Sequence, residues 1–188
     1  MKKLLYTFTL ILGLLVVNQQ SAHAQADFGI RGGVNFATIS ADGFSPDSRT
    51  GLLVGAYANF GMDGAISIQP EVLYSAKGAS FGDNETKLDY VEIPILAKYT
   101  IDTDGSLAPH FYAGPYVGIN VSAKNENDDD ISEGISSTDF GLTLGGGLGF
   151  DSFNIGARYS LGLSNIADAD NAGDSKNRVF SIVAGFDF

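Results

Sequence analysis

From Asp27 onward the chain alternates. Phe28, Ile30, Val34 and Phe36 share one parity, while Asp27, Gly29, Arg31, Gly33 and Asn35 hold the other. A period of two marks a strand with two unlike faces. The pattern recurs. Leu52, Val54, Ala56, Ala58 and Phe60 oppose Gly51, Gly55, Tyr57 and Asn59. Ile66, Ile68, Val72 and Tyr74 oppose Ser67, Gln69, Glu71, Ser75 and Lys77, and Val91, Ile93, Ile95 and Tyr99 oppose Tyr90, Glu92 and Lys98. Further on, Phe111, Val117, Ile119 and Val121 oppose His110, Tyr112, Tyr116, Asn120 and Ser122, and Phe140, Leu142, Leu144, Leu148 and Phe150 oppose Asp139, Thr143 and glycines. Last come Phe153, Ile155, Tyr159, Leu161 and Leu163 against Asn154, Arg158, Ser160 and Ser164, then Phe180, Ile182, Ala184, Phe186 and Phe188 against Ser181, Gly185 and Asp187. Glycine is frequent inside these runs, which disfavours helices.

Each segment is about 10 residues or a little longer, the length of a tilted transmembrane strand. Eight is an even number, as single-chain bacterial barrels require. The links after segments one, three, five and seven (39–50, 79–86, 123–137 and 165–177) read as long and polar, and the others as short. That alternation gathers the long loops at one end, the outer-membrane arrangement of short periplasmic turns and long external loops. Both termini then face the periplasm. The fold expected is all-β: an eight-stranded antiparallel up-and-down transmembrane barrel. The alternative is a secreted lipocalin-like barrel holding a small apolar ligand, with its apolar parity turned inward.

Pro70, Pro94, Pro109 and Pro115 fall inside predicted strands, where each removes a ladder hydrogen bond. They point to bulges or to the barrel rim.

The first residues need a separate reading. Lys2 and Lys3 precede an apolar run from Leu4 to Val17, too short for a bilayer span of roughly 20 residues. Ala22-His23-Ala24 then has the small-x-small form of a cleavage site. Residues 1–24 are expected to be a signal peptide and 25–188 one barrel domain; an uncleaved anchor is the alternative. Loss of Lys2 and Lys3 would take the net charge from −11 to −13. So acidic a chain lacks the Lys/Arg clusters that nucleic acid demands. With no cysteine, thiol catalysis and thiolate metal sites are excluded.

The polar parity carries Arg31, Lys77, Lys98 and Arg158 with Glu71, Glu92, Asp139 and Asp187. Equal numbers of each sign, among many glycines, suit a narrow bore filled by side chains. Buried charges persist only when paired, so Glu71 and Glu92 are expected to pair with members of Arg31, Lys77, Lys98 and Arg158. The competing reading is a water-lined channel. His110, the one histidine after the signal, lacks a recognisable serine nucleophile context. The acidic run Asn125–Asp130 reads as a solvated loop with weak cation binding as the alternative. The stretch Asp168–Asp174 begins like a calcium loop but has Ala172 at its fifth place and Val179 at its twelfth. No catalytic residue, cofactor or metal is expected.

The runs Gly33-Val34-Asn35-Phe36-Ala37, Gln69-Pro70-Glu71-Val72-Leu73-Tyr74-Ser75-Ala76-Lys77-Gly78 and Tyr90-Val91-Glu92-Ile93-Pro94-Ile95-Leu96-Ala97-Lys98-Tyr99 carry a family likeness. So do Tyr112-Ala113-Gly114-Pro115-Tyr116-Val117-Gly118, Asp139-Phe140-Gly141, Gly145-Gly146-Gly147 and Ala157-Arg158-Tyr159-Ser160-Leu161-Gly162-Leu163. In order and spacing they resemble the PorT-type outer-membrane β-barrel family of Bacteroidetes, across essentially the whole mature chain. The resemblance implies an outer-membrane barrel and makes the internal prolines part of the pattern. It implies little about activity. Phe188 resembles the terminal aromatic signal read by the barrel assembly machinery. The partners implied are outer-membrane lipid, that machinery and other envelope proteins.

Overall fold

The computed structural model describes residues 26–41, 46–62, 64–82, 84–103, 105–167 and 174–188. The expected signal peptide and most of the calcium-loop-like stretch lie outside them. Eight strands follow one another: β1 (Ala26–Ala41), β2 (Asp47–Gly61), β3 (Ile66–Phe81), β4 (Asn84–Thr100), β5 (Leu107–Lys124), β6 (Thr138–Phe150), β7 (Phe153–Gly162) and β8 (Ser175–Asp187). Each pairs antiparallel with its chain neighbours, and β1 pairs with β8 from Gly29↔Asp187 to Ala41↔Ser175, which closes the barrel. Closure leaves no free edge, so the backbone polar groups are satisfied between strands, as a bilayer requires.

Alternation sets the two faces. Phe28, Ile30, Val34, Leu52, Val54, Ile95, Phe111, Phe140, Leu142, Ile155 and Ile182 point out and are exposed, whereas Arg31, Asn35, Glu71, Lys77, Glu92, Asp139 and Arg158 point in and are buried. The lipocalin-like alternative needs the reverse arrangement and is overturned. An apolar exterior around a charged bore is stable only where lipid replaces water outside.

The prolines act within the strands and leave the register unchanged. Pairing skips from Tyr57↔Glu71 to Phe60↔Ile68 beside Pro70, from Pro70↔Ile95 to Leu73↔Glu92 beside Pro94, and from Pro94↔Tyr116 to Ala97↔Ala113 beside Pro115. Each proline lacks the N–H that would complete the ladder. Pro109, near the start of β5, pairs with Leu148 without a break. The register shifts fall elsewhere, between Ser48 and Leu53 in β2 and between Asp89 and Tyr90 of β4 against β5. The second shift moves the inward phase of β5, so that Ala123 is buried where alternation alone pointed Ser122 inward.

Two expected loops prove to be largely strand. β1 runs on to Ala41 and β2 begins at Asp47, while β3 and β4 are separated only by residues 82–83. The polar residues there signalled a loop, yet a strand projecting beyond the bilayer meets water and can carry Thr38, Ser40, Ser48 and Thr50 outward. The long links that remain are 125–137, with a short 3-10 turn at Ser132–Gly134, and 163–174. Both lie at the end opposite Ala26 and Asp187, which also carries the extended hairpins.

Candidate functional site

The bore is filled in layers. On β3 the inward residues run Gln69, Glu71, Leu73, Ser75 and Lys77, and this order spaces two ionic clusters along the barrel. In the first, nearer the end with Ala26 and Asp187, Glu71 receives Arg31 from β1 and Arg158 from β7 across the bore, the latter at 2.7 Å, and Gln69 Nε2 also donates to it. The Arg31 guanidinium lies 4.6 Å from the centre of the Tyr57 ring, close enough for a cation–π contact. Leu53, Leu73 and Val183 form an apolar layer alongside.

The second cluster centres on Lys77. Its ammonium pairs with Glu92 and, at 3.3 Å, with Asp139, and sits 4.9 Å from both the Tyr90 and Tyr116 rings. Asp139 also accepts from Tyr116 Oη at 3.0 Å, Asn177 Nδ2 at 2.9 Å and Ser164 Oγ at 3.0 Å. One carboxylate therefore ties together β3, β5, β8 and the start of the last long link. The glycines of β6 make room for the tyrosines: a Cβ on Gly145 would stand 2.6 Å from the Tyr112 ring, and one on Gly141 would collide with Tyr116.

Beyond this cluster an apolar layer covers the end of the bore opposite Ala26 and Asp187. Ile39, Ala79, Leu88, Tyr90, Ala123 and Ile166 pack together, with Ile131 and Ile135 against them. Ser136 N donates to Ile166 O, Ile166 N to Ser175 O and Ile131 N to Ala123 O, which pins residues 131–136 and Ile166 over the opening. These links are polar in composition overall. The signal was present in three isoleucines, Ile131, Ile135 and Ile166, set among polar residues.

The eight charged residues of the polar parity thus separate. Arg31, Glu71 and Arg158 meet in one cluster, and Lys77, Glu92 and Asp139 in the other. Asp187 stands apart near the terminal end, accepting from Tyr57 Oη at 2.7 Å and Asn154 Nδ2 at 3.1 Å. Lys98 makes no ion pair among the described residues and lines an open vestibule at that end. His110 faces inward there, stacked on Tyr112, and no hydrogen bond joins it to a serine among the described residues. The tyrosines that flank the cations, Tyr57, Tyr90, Tyr112 and Tyr116, are the residues that charge counting missed; they share the parity of the charges.

The acidic run is spent on local bonds. Asn125 Oδ1 accepts from the amides of Asn127 and Asp129, both at 2.9 Å, and Asp130 Oδ1 from Ser132 N at 2.9 Å. Asp128 pairs with Lys87 at 3.1 Å, and this ammonium holds its carboxyl below the usual range. Among the described residues no group of three or more His, Asp or Glu side chains is placed to hold a metal.

A model of the outer membrane protein β-barrel domain matches residues 18–168. The chain belongs to that family. It is an integral outer-membrane protein. Its fold is similar to Neisserial surface protein A (NspA), with 16% identity and a TM-score of 0.58 over 87% of this chain and 99% of that one. It is also similar to Ail, the attachment invasion locus protein of Yersinia pestis, with 17% identity and a TM-score of 0.52 over the same shares of the two chains. Among curated proteins, none matches the chain in sequence.

Proposed function

We propose that this outer-membrane barrel is a non-conducting, non-enzymatic scaffold of the PorT-like type, which works through its outer-end links or a partner complex in the envelope. The observation that carries this reading is the filled bore: the Arg31–Glu71–Arg158 cluster, the Lys77–Glu92–Asp139 cluster and the isoleucine layer lie in series along one path. A solute would have to break paired charges in a bore that eight strands leave only wide enough for side chains. The membrane face supplies an anchor, and the hairpins and pinned links supply a surface. Termini on the periplasmic side and long links outside fit the short turns at the terminal end. The PorT-like assignment rests on the residue runs around Pro70, Pro94 and Pro115. The other envelope partners proposed are lipid and the assembly machinery, with no nucleic acid.

Planar bilayers holding the purified barrel are expected to show no steady porin-sized conductance. A stable, monomer-carried channel of that size would overturn the reading. Deleting the protein and following secretion and envelope integrity distinguishes a secretion-apparatus role from a general scaffold.

A further inference from the structure

The end of the barrel near Ala26 and Asp187 is open where the other end is covered. Two cavities of about 330 and 440 Å³ lie there, both lined by Asp27, Asn59, Lys98 and Thr100. The first is also lined by His110, Asp151 and Asp187. Its floor is the Asp187–Tyr57–Asn154 hydrogen-bond group, so the vestibule is blind.

Its polar lining is mostly acceptor. Three carboxylates, from Asp27, Asp151 and Asp187, face one ammonium, Lys98. His110 is 96% buried, with 4% of its surface exposed. Its Nδ1 lies 3.4 Å from the Ala108 carbonyl oxygen, which can only accept, so Nδ1 donates and Nε2 is left as an acceptor without a partner among the described residues. Asn59 Oδ1 is a further buried acceptor with no hydrogen-bond partner. A blind cavity with surplus acceptors and surplus negative charge is complementary to a cation rich in N–H donors.

We propose that this vestibule binds primary ammonium groups, from a free polyamine or from lysine side chains of a peptide segment. Asp27 and Asp151 supply attraction, His110 and Asn59 supply acceptors, and Lys98 opposes entry and so tunes affinity. The proposal does not depend on the scaffold reading.

The test uses the whole barrel in lipid nanodiscs at low ionic strength, titrated with spermidine and separately with a short end-blocked peptide bearing lysines. Asp27→Asn combined with Asp151→Asn is the weakening variant. Asp151 has φ 49°, a backbone conformation that asparagine tolerates, so the turn survives. Each probe that binds is expected to bind the double variant about tenfold more weakly and to bind Lys98→Gln more tightly. Heat-modifiable gel migration verifies that both variants are folded. Binding of spermidine alone assigns the site to free amines, and tighter binding of the peptide assigns it to a protein segment. If neither probe binds, or if binding ignores all three substitutions, the proposal is overturned.

Discussion

Glu71 is the residue on which the lower bore turns. Two guanidinium groups converge on its carboxylate, with all three side chains nearly inaccessible. Neutralising it leaves two buried guanidinium groups without the carboxylate that both pair with among the described residues. Glu71→Gln is therefore expected to lower unfolding stability by about 3–5 kcal/mol, the usual cost of breaking a buried pair from one side. Urea titration read by heat-modifiable mobility measures this. Replacing Arg31, Glu71 and Arg158 together with apolar residues of similar volume should cost far less, since no charge is then orphaned. A loss below about 1 kcal/mol for Glu71→Gln would mean that the cluster contributes little to stability. The signs, the inward parity and the pairing of Glu71 with cations of that parity were legible in the sequence; which cations it meets was not. Arg158 meets Glu71 across the bore, a relation set by strand tilt and closure and not by sequence spacing. Lys98 has the same parity as Glu92 but lies six residues further along β4, toward the terminal end, so parity alone could not separate it from the clusters.

At the level of elements, strand identity was legible because alternation runs along the strands, and phase was legible except past the shift at Asp89 and Tyr90, where Ala123 of β5 turns inward. Strand ends were not. The polar outer halves of β1–β2 and β3–β4 look like loops to a hydropathy reading, because a strand that leaves the bilayer loses its apolar outer face while keeping its hydrogen-bond partners. The prolines show the converse: a residue that argues against a strand is accommodated by skipping one stretch of the ladder while the strand continues on the same register. The 125–137 link is held partly by Asp128 and Lys87. Asp128 stands at φ 63°, and the Lys87 hydrogen bond and charge lower its pKa. A carboxyl depressed in the folded state contributes its tether above its ordinary pKa and loses it as pH falls through the depressed value. Amide protection across residues 125–130, measured against the intrinsic exchange rate at each pH, is therefore expected to fall on acidification through and below the carboxylate range. Asp128→Asn keeps the left-handed backbone, so it should exchange faster already at neutral pH and respond less to acid. An unchanged acid response in that variant would place the tether elsewhere, at Asp130 and Ser132.

The whole molecule is asymmetric from end to end, and the asymmetry makes its orientation testable. One end has turns of a few residues, an open vestibule and Asp187; the other has extended hairpins, two long links and an isoleucine layer over the bore. Outer-membrane barrels carry short turns on the periplasmic side and longer loops outside, which favours the short-turn end as the periplasmic one. The chain contains no cysteine, so a single introduced thiol reports without background. Glu126 is exposed in the 125–137 link, and Met62 is exposed in the short link between β2 and β3 at the opposite end. Glu126→Cys is expected to react with a membrane-impermeant maleimide on intact cells, and Met62→Cys only after the outer membrane is permeabilised. The reverse pattern would invert the barrel. It would put the vestibule at the cell surface and the pinned links in the periplasm, and the amines able to reach Asp27 and Asp151 would then be those of the medium and not those of the envelope.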